Sequence, residues 1–281
     1  MRALPFVIAF VAAFAVTSGM LRSLSAAGFQ RENYRRRALP FPAGIVIVAA
    51  AALALIPLAL LAELAEAEVF RYPVSAVAIY ALGVAFLGLL DDILSGESRG
   101  WRGHGSALLG GTLSTGALKA AGSLGLALFA LAGLYDDKGR YLLAVAVLVL
   151  ATNLFNLLDL RPGRSVKAFV LLGLGLAIGT WNLEPLAALG LFAAPVLVVG
   201  LYDVRERAML GDTGSNLVGA LAGLWIVLAL GVTGQAVALI LIVVATVYGE
   251  FRSISALIDR TPGLRQLDSL GRPARGRPTH A

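Results

Sequence analysis

Apolar residues in this chain come in long unbroken blocks rather than at the short periods of a half-buried strand or an amphipathic helix. Nine blocks stand near residues 4–21, 43–62, 73–90, 120–135, 141–158, 168–183, 185–202, 213–233 and 234–250. A helix needs about 20 mostly apolar residues to cross the hydrocarbon layer, with a lower limit near about 17. The pattern therefore predicts an all-α polytopic membrane helix bundle of about nine transmembrane helices. Frequent Gly and Ala within the blocks suit close helix contacts. The first block follows Met1-Arg2 and resembles a signal peptide. It lacks a small-residue cleavage site and runs into Arg22 and RENYRRR, so it is kept as a helix. One transmembrane domain is expected over 1–251, followed by a basic cytoplasmic tail over 252–281, a surface-lying helix and then disorder.

Composition agrees. Of 281 residues 58% are hydrophobic and 14% charged, against about 25% charged in soluble domains. There is no Cys, which excludes disulfides and thiolate metal sites. The net charge of +6 matters less than its placement. Segments 22–42, 91–119, 159–167, 203–212 and 251–281 lie on one side of the predicted membrane and hold 19 of the 23 Lys and Arg residues. The positive-inside rule makes that side cytoplasmic, with the N-terminus out and the C-terminus in. Basic loops then act as topology signals and contacts to membrane lipids, and no nucleic-acid partner is expected.

The middles of the nine blocks contain no Asp, Glu, Lys, Arg or His. Ion-coupled transporters often keep such groups near the midplane, so this class is disfavoured. Polar groups gather instead in three clusters at cytoplasmic helix ends. FLGLLDD places Asp91 and Asp92 together; adjacent carboxylates repel and favour a cation or shared proton nearby. A solvated helix end explains a lone pair more readily, and Asp136-Asp137 on the outer side is one. ATNLFNLLD puts Asn153, Asn156 and Asp159 at i, i+3 and i+6, one polar stripe on a helix face. Buried carboxamides need partners, which interhelical hydrogen bonds or a ligand can supply. MLGDTGSN offers Asp212, Thr213 and Ser215 between glycines at a helix start. Free N–H groups there suit a phosphate or an ordinary cap, and a carboxylate beside a phosphate suits Mg²⁺.

These three clusters, in this order and on one side, resemble the polyprenyl-phosphate N-acetylhexosamine-1-phosphate transferase superfamily, the group containing MraY and WecA. The likeness runs from Asp91-Asp92 through Asn153 to Asp159 to the Gly211–Ser215 turn, and the basic RENYRRRALPFPAGI loop is similar to the family's lead-in to its second helix. The resemblance implies a Mg²⁺-dependent glycosyltransferase of cell-envelope (peptidoglycan-type) synthesis, multi-pass in a bacterial inner membrane. Its partners would be a UDP-sugar and polyprenyl phosphate, and a homodimer is compatible with it. Implied roles are Asp212 as metal ligand and Asp91, Asp92 and Asp159 as catalytic carboxylates. Asn153, Asn156, Lys119, Thr213, Ser215 and His104 would bind substrate, with His104 replacing a His-rich loop. Arg161, Arg164 and Lys167, with Arg205 and Arg207, would favour a bound diphosphate, though they equally serve topology.

The chain also departs from the family. It reads Asp159-Leu160-Arg161-Pro162-Gly163, with Pro162 where the family carries a second Asp, and Asp203 where it carries an Asn ahead of the Gly-Asp turn. The late His-rich loop has no counterpart, and the helix count is short. Three functions therefore stand: the transferase, a non-catalytic relative that binds lipid phosphate or scaffolds an envelope complex, and a transporter or flippase.

Overall fold

A computed structural model describes residues 3–67, 69, 73–94 and 115–273. Its long helices are α1 (Leu4–Ala26), α2 (Gly44–Leu64), α3 (Val74–Leu94), α4 (Thr115–Ala130), α5 (Lys138–Leu158), α6 (Arg164–Thr180), α7 (Glu184–Val204), α8 (Gly211–Ala229) and α9 (Val232–Phe251). Two short helices follow, α10 (Ile254–Arg260) and α11 (Pro262–Ser269). Seven helices, α1–α3, α5 and α7–α9, are long and apolar enough to cross a membrane. The architecture is that of a multi-pass membrane helix bundle. At 16 and 17 residues, α4 and α6 rise only about 25 Å, at about 1.5 Å per residue.

Each expected block coincides with one helix, but several helices begin earlier than the hydropathy pattern does. Thr115 starts α4, Arg164 starts α6 and Gly211 starts α8. Hydropathy reports the apolar slab, whereas a helix extends wherever backbone hydrogen bonds continue. Those extra residues bring Thr115, Lys119 and Asp212 into helix starts.

One element departs from the all-helical expectation. Residues Gln30–Glu32 (β1) and Ala38–Pro40 (β2) form an antiparallel hairpin within the basic loop between α1 and α2. Asn33 accepts the N–H groups of Arg35 and Arg37 through its side-chain oxygen and turns the chain. The strand after the turn does not stop at β2. Met209 N–H donates to Pro40 O, Ala43 N–H to Met209 O and Gly44 N–H to Leu210 O, at 2.8–3.0 Å. The hairpin is thereby tied to the segment that feeds α8.

Helix α8 is the axis of the bundle. It packs against α2, α3, α5, α6 and α7 and is buried along nearly its whole length, as a helix apolar on all faces should be. Small residues allow this. A Cβ at Gly219 would lie 2.7 Å from Thr152 Cα on α5, and one at Gly223 would lie 3.1 Å from Leu148 Cα. Trp225 fills the space opposite and meets Phe169 of α6 edge-on at 5.7 Å. By contrast α9 presents most of its length outward, including Ile240, Leu241, Val244 and Phe251. Such an exposed apolar belt fits lipid and not water.

Candidate functional site

The first turn of α8 carries the site. Gly211, with φ +71°, bends the chain from the hairpin-bound segment into the helix. Gly44 and Gly88 let α2 and α3 close on this turn, because a Cβ at Gly44 would strike the Gly214 backbone and one at Gly88 the Asp212 carbonyl. The last turn of α3 is thus held against the first turn of α8. From there Asp92 accepts the Asp212 N–H (2.9 Å), the Thr213 N–H (2.8 Å) and the Thr213 hydroxyl (2.7 Å). These are N-terminal amides with no partner inside their own helix. Asp92 therefore caps α8 from another helix, and its negative charge sits at the positive end of the α8 dipole.

Fixed in this way, the Asp212 side chain meets Lys119 from α4 in a close ion pair. The same ammonium lies 3.5 Å from Asp91. Asp91 and Asp212 are also within hydrogen-bonding reach of each other, and Thr115 reaches Asp91. Asn156 of α5 completes the group. Lys119 only donates and a carboxylate only accepts, which orients the Asn156 carboxamide. Its oxygen then accepts from Lys119 (2.9 Å), while its nitrogen donates to Asp212 (3.2 Å) and to the Ser215 hydroxyl (2.8 Å). Four helices, α3, α4, α5 and α8, meet at one end of the bundle. Three carboxylates against one ammonium leave a net negative centre, which attracts a cation before it accepts a phosphate.

Asp159 follows the last residue of α5. Burial, and then the nearby charges of Asp203, Asp212 and Asp92, push its carboxyl well above the ordinary carboxylate range. It joins the centre through charge. The expected stripe is therefore divided: a step of three residues falls about 60° short of a full turn, so Asn153 and Asp159 flank Asn156 on opposite sides. Asn153 lines a cavity of about 1010 Å³ between α4, α5 and α9, together with Lys119, Asn216, Thr246 and Glu250.

Next to Asp159 the loop 159–163 is held from two sides. Asp203, on the last turn of α7 and 2% exposed, accepts the Gly163 N–H at 2.6 Å. The tail binds the rest. Arg164 pairs with Asp268 through two hydrogen bonds (2.9 and 3.2 Å) and donates to Ser255 (3.0 Å). Arg272 pairs with Asp268 (2.8 and 2.9 Å) and donates to Pro162 O (2.9 Å). Lys167 donates to the last carbonyls of α11, those of Leu267 and Asp268, and Arg161 grips Asp259 through both nitrogens at 3.1 Å. The cations expected to meet a diphosphate here are engaged by α10 and α11. At Asp268 burial opposes ionisation, but hydrogen bonds and charge from Arg164 and Arg272 override it and hold the carboxyl down at about 2.

Of the residues singled out in the sequence, Asp91, Asp92, Lys119, Asn156, Asp212, Thr213 and Ser215 come together. Asp159 borders them, Asn153 faces the adjoining cavity, and His104 lies outside the described residues. Thr115, Asn216, Thr246 and Glu250 were not singled out. Asn216 had a signal: it stands one turn beyond Asp212, as a carboxamide inside an apolar block. Set against models of protein families and against curated proteins, the chain matches none of either.

Proposed function

We propose that this protein transfers a sugar 1-phosphate, N-acetylhexosamine 1-phosphate in the family's manner, from a UDP-sugar to polyprenyl phosphate. The reaction would run at the cytoplasmic face of a bacterial inner membrane, with nine spans, the N-terminus out and the C-terminus in. One observation carries the reading: Asp91, Asp92, Lys119, Asn156 and Asp212, scattered over four helices, converge at one bundle end. A lipid substrate and a cytosolic polyanion can meet only at such an interface. Phosphoryl transfer asks mainly for alignment and charge neutralisation.

In this reading an oxygen of the lipid phosphate attacks the sugar-bearing phosphorus of the UDP-sugar. A new P–O bond forms, the bond to the bridging oxygen breaks, and UMP leaves. A phosphate monoester has its second pKa near ~6, so the attacking oxygen needs no strong base. Lys119 meets a phosphate oxygen, Asn156 fixes the Lys119 and Asp212 side chains, and Asp92 positions Asp212 through the α8 amides.

Asp91 and Asp212 would hold Mg²⁺. Among the described residues no group of three or more His, Asp or Glu is arranged as a metal cage. Two converging carboxylates fit Mg²⁺ all the same, since it is held by one or two carboxylates plus substrate phosphate. Bound there, it would neutralise charge on the diphosphate. A second reading has its own support: Lys119 already satisfies both carboxylates, as it would in a relative that binds lipid phosphate without turnover.

The test is UMP release by the purified protein given undecaprenyl phosphate, Mg²⁺ and a panel of UDP-N-acetylhexosamines, with Asp212→Asn alongside. Release that needs lipid, metal and Asp212 establishes the transferase. A folded, lipid-binding protein that releases no UMP with any sugar establishes the non-catalytic relative.

A further inference from the structure

A second cavity, of about 580 Å³, opens at the same bundle end between α1, β2 and the chain that leaves α7. It shares no residue with the carboxylate centre, and α1 joins the bundle through α2 and α7. Two guanidiniums line it, Arg22 from α1 and Arg207 from the turn after α7. Backbone geometry puts Arg207 there. Glu206 takes φ +54°, and the Arg207 N–H donates back to Tyr202 O at 2.8 Å, so the chain folds over the last turn of α7. Pro40, which accepts the Met209 N–H, closes the cavity from β2. Ser18, Ser25 and Tyr202 add hydroxyl groups.

The charge in this cavity is uncompensated. Among the described residues neither Arg22 nor Arg207 has a carboxylate partner, whereas Arg35, Arg161, Arg164 and Arg272 each have one. None of the described lining residues is Asp or Glu. The neighbouring acid, Glu206, is buried and held by Tyr34 and Arg35. A guanidinium only donates, in a planar fork that matches phosphate oxygens. An anion is the fitting ligand, and a zwitterion would leave its cationic group without a partner.

Position identifies what carries the anion. Arg22 stands four residues from the end of α1 and Tyr202 two from the end of α7, about 6 and 3 Å at about 1.5 Å per residue. That is head-group depth, where basic pockets between membrane helices hold lipid phosphates. From Arg22 one face of α1 runs inward through Ser18, Phe14, Val11 and Val7, at steps of four, four, three and four residues. Phe14, Val11 and Val7 are exposed. Ser18 to Val7 spans about 16 Å, close to one leaflet of a hydrocarbon core about 30 Å thick. A cationic end and an apolar strip of acyl length thus share one helix face.

We infer that this cavity binds the phosphodiester of an anionic phospholipid, with Arg22 and Arg207 as its charge partners and an acyl chain along Phe14, Val11 and Val7. The bound lipid bridges α1 to the segment that leads through Arg207 into α8. Free phosphate presents similar oxygens but nothing to cover the apolar strip. The inference is independent of the transferase reading.

The test is thermal melting of the full-length protein in a neutral detergent, titrated with phosphatidylglycerol, phosphatidylcholine or inorganic phosphate. A ligand of the folded state raises Tm as its site fills. Phosphatidylglycerol should do so at about tenfold lower concentration than phosphatidylcholine, with inorganic phosphate inert in that range. Arg22→Gln and Arg207→Gln should each raise the phosphatidylglycerol concentration needed by about tenfold, the loss of one charge-assisted hydrogen bond. Their ligand-free Tm should equal that of wild type, because neither guanidinium is paired among the described residues. Arg265→Gln, which removes an exposed arginine of α11, should titrate like wild type.

Equal titration by phosphatidylcholine, or an inorganic phosphate effect as large as the lipid's, would overturn the inference. So would an Arg265→Gln protein weakened as much as Arg22→Gln, since diffuse charge attraction would then account for the lipid effect. A lowered ligand-free Tm in both Arg22→Gln and Arg207→Gln would also overturn it, by showing that the two guanidiniums already have partners within the protein.

Discussion

Neutralising Asp268 should release the tail from the loop that follows α5. Asp268 is 7% exposed and sits between the Arg164 and Arg272 guanidiniums, themselves nearly buried. A carboxylate near a helix C-terminus is opposed by the helix dipole, so α11 keeps this charge only because the two arginines hold it. Arg272 lies in the tail with Asp268, so only the Arg164 pair acts across the docking contact, and its loss is worth on the order of 1–2 kcal/mol, about tenfold in a docking equilibrium. Removing one partner of a buried ion pair gives an independent figure of about 3–5 kcal/mol, so the smaller value is the conservative expectation. The substitution is Asp268→Asn, which keeps the shape and loses the charge. The assay is amide hydrogen exchange over 254–269 in detergent micelles, read as protection factors. At neutral pH the variant should lose about tenfold in protection there, with α8 unchanged. The pH dependence has a fixed sign. A carboxyl whose folded value is depressed contributes fully above its unfolded value of 3.8 and loses that contribution as pH falls through about 2. Wild-type protection of the tail should therefore decline below about pH 4, while the variant shows no such step. Equal protection in the two proteins at neutral pH would refute the reasoning.

Two further predictions concern the centre itself. Lys119→Ala leaves Asp91 and Asp212 facing each other without their shared cation, so the protein should melt lower. Added Mg²⁺ should raise its Tm by more than it raises that of wild type; an equal Mg²⁺ effect on both would remove the carboxylate pair as a metal site. Among glycines, Gly88→Ala drives a methyl into the Asp212 carbonyl and should destabilise by about 1–3 kcal/mol. Gly125→Ala, with nothing within 4 Å of the added carbon, should be neutral or stabilise by up to about 1 kcal/mol. Thermal melts of the two side by side check the contrast, and a Gly88→Ala protein as stable as Gly125→Ala would contradict the close packing of α3 on α8.

What the sequence by itself determined was whatever depends on local composition. Long apolar blocks specify helices because backbone polar groups in lipid must be satisfied within the segment, and every expected block holds a helix. The polar clusters were legible for a related reason: a carboxylate or carboxamide beside an apolar block is costly unless something pairs with it. Asp91, Asp92, Asn156 and Asp212 were found that way. Lys119 was visible only as a cation at a helix start, since its neighbours in space lie 28 and 93 residues away along the chain.

Tertiary structure alone decided the roles. Asp91 and Asp92 are adjacent in sequence, yet a step of one residue turns about 100° on a helix. Asp92 therefore faces the α8 amides while Asp91 faces Lys119. The loop cations Arg161, Arg164 and Lys167 looked like ligands for a diphosphate until α10 and α11 folded over them, a pairing of residues about 100 positions apart that no local pattern encodes. The bond from Met209 to the hairpin at Pro40 was hidden likewise, because its partner segment lies in a distant loop. Asn216 carried a signal as a carboxamide inside an apolar block, but only the packing of α4, α5 and α9 put it beside a cavity.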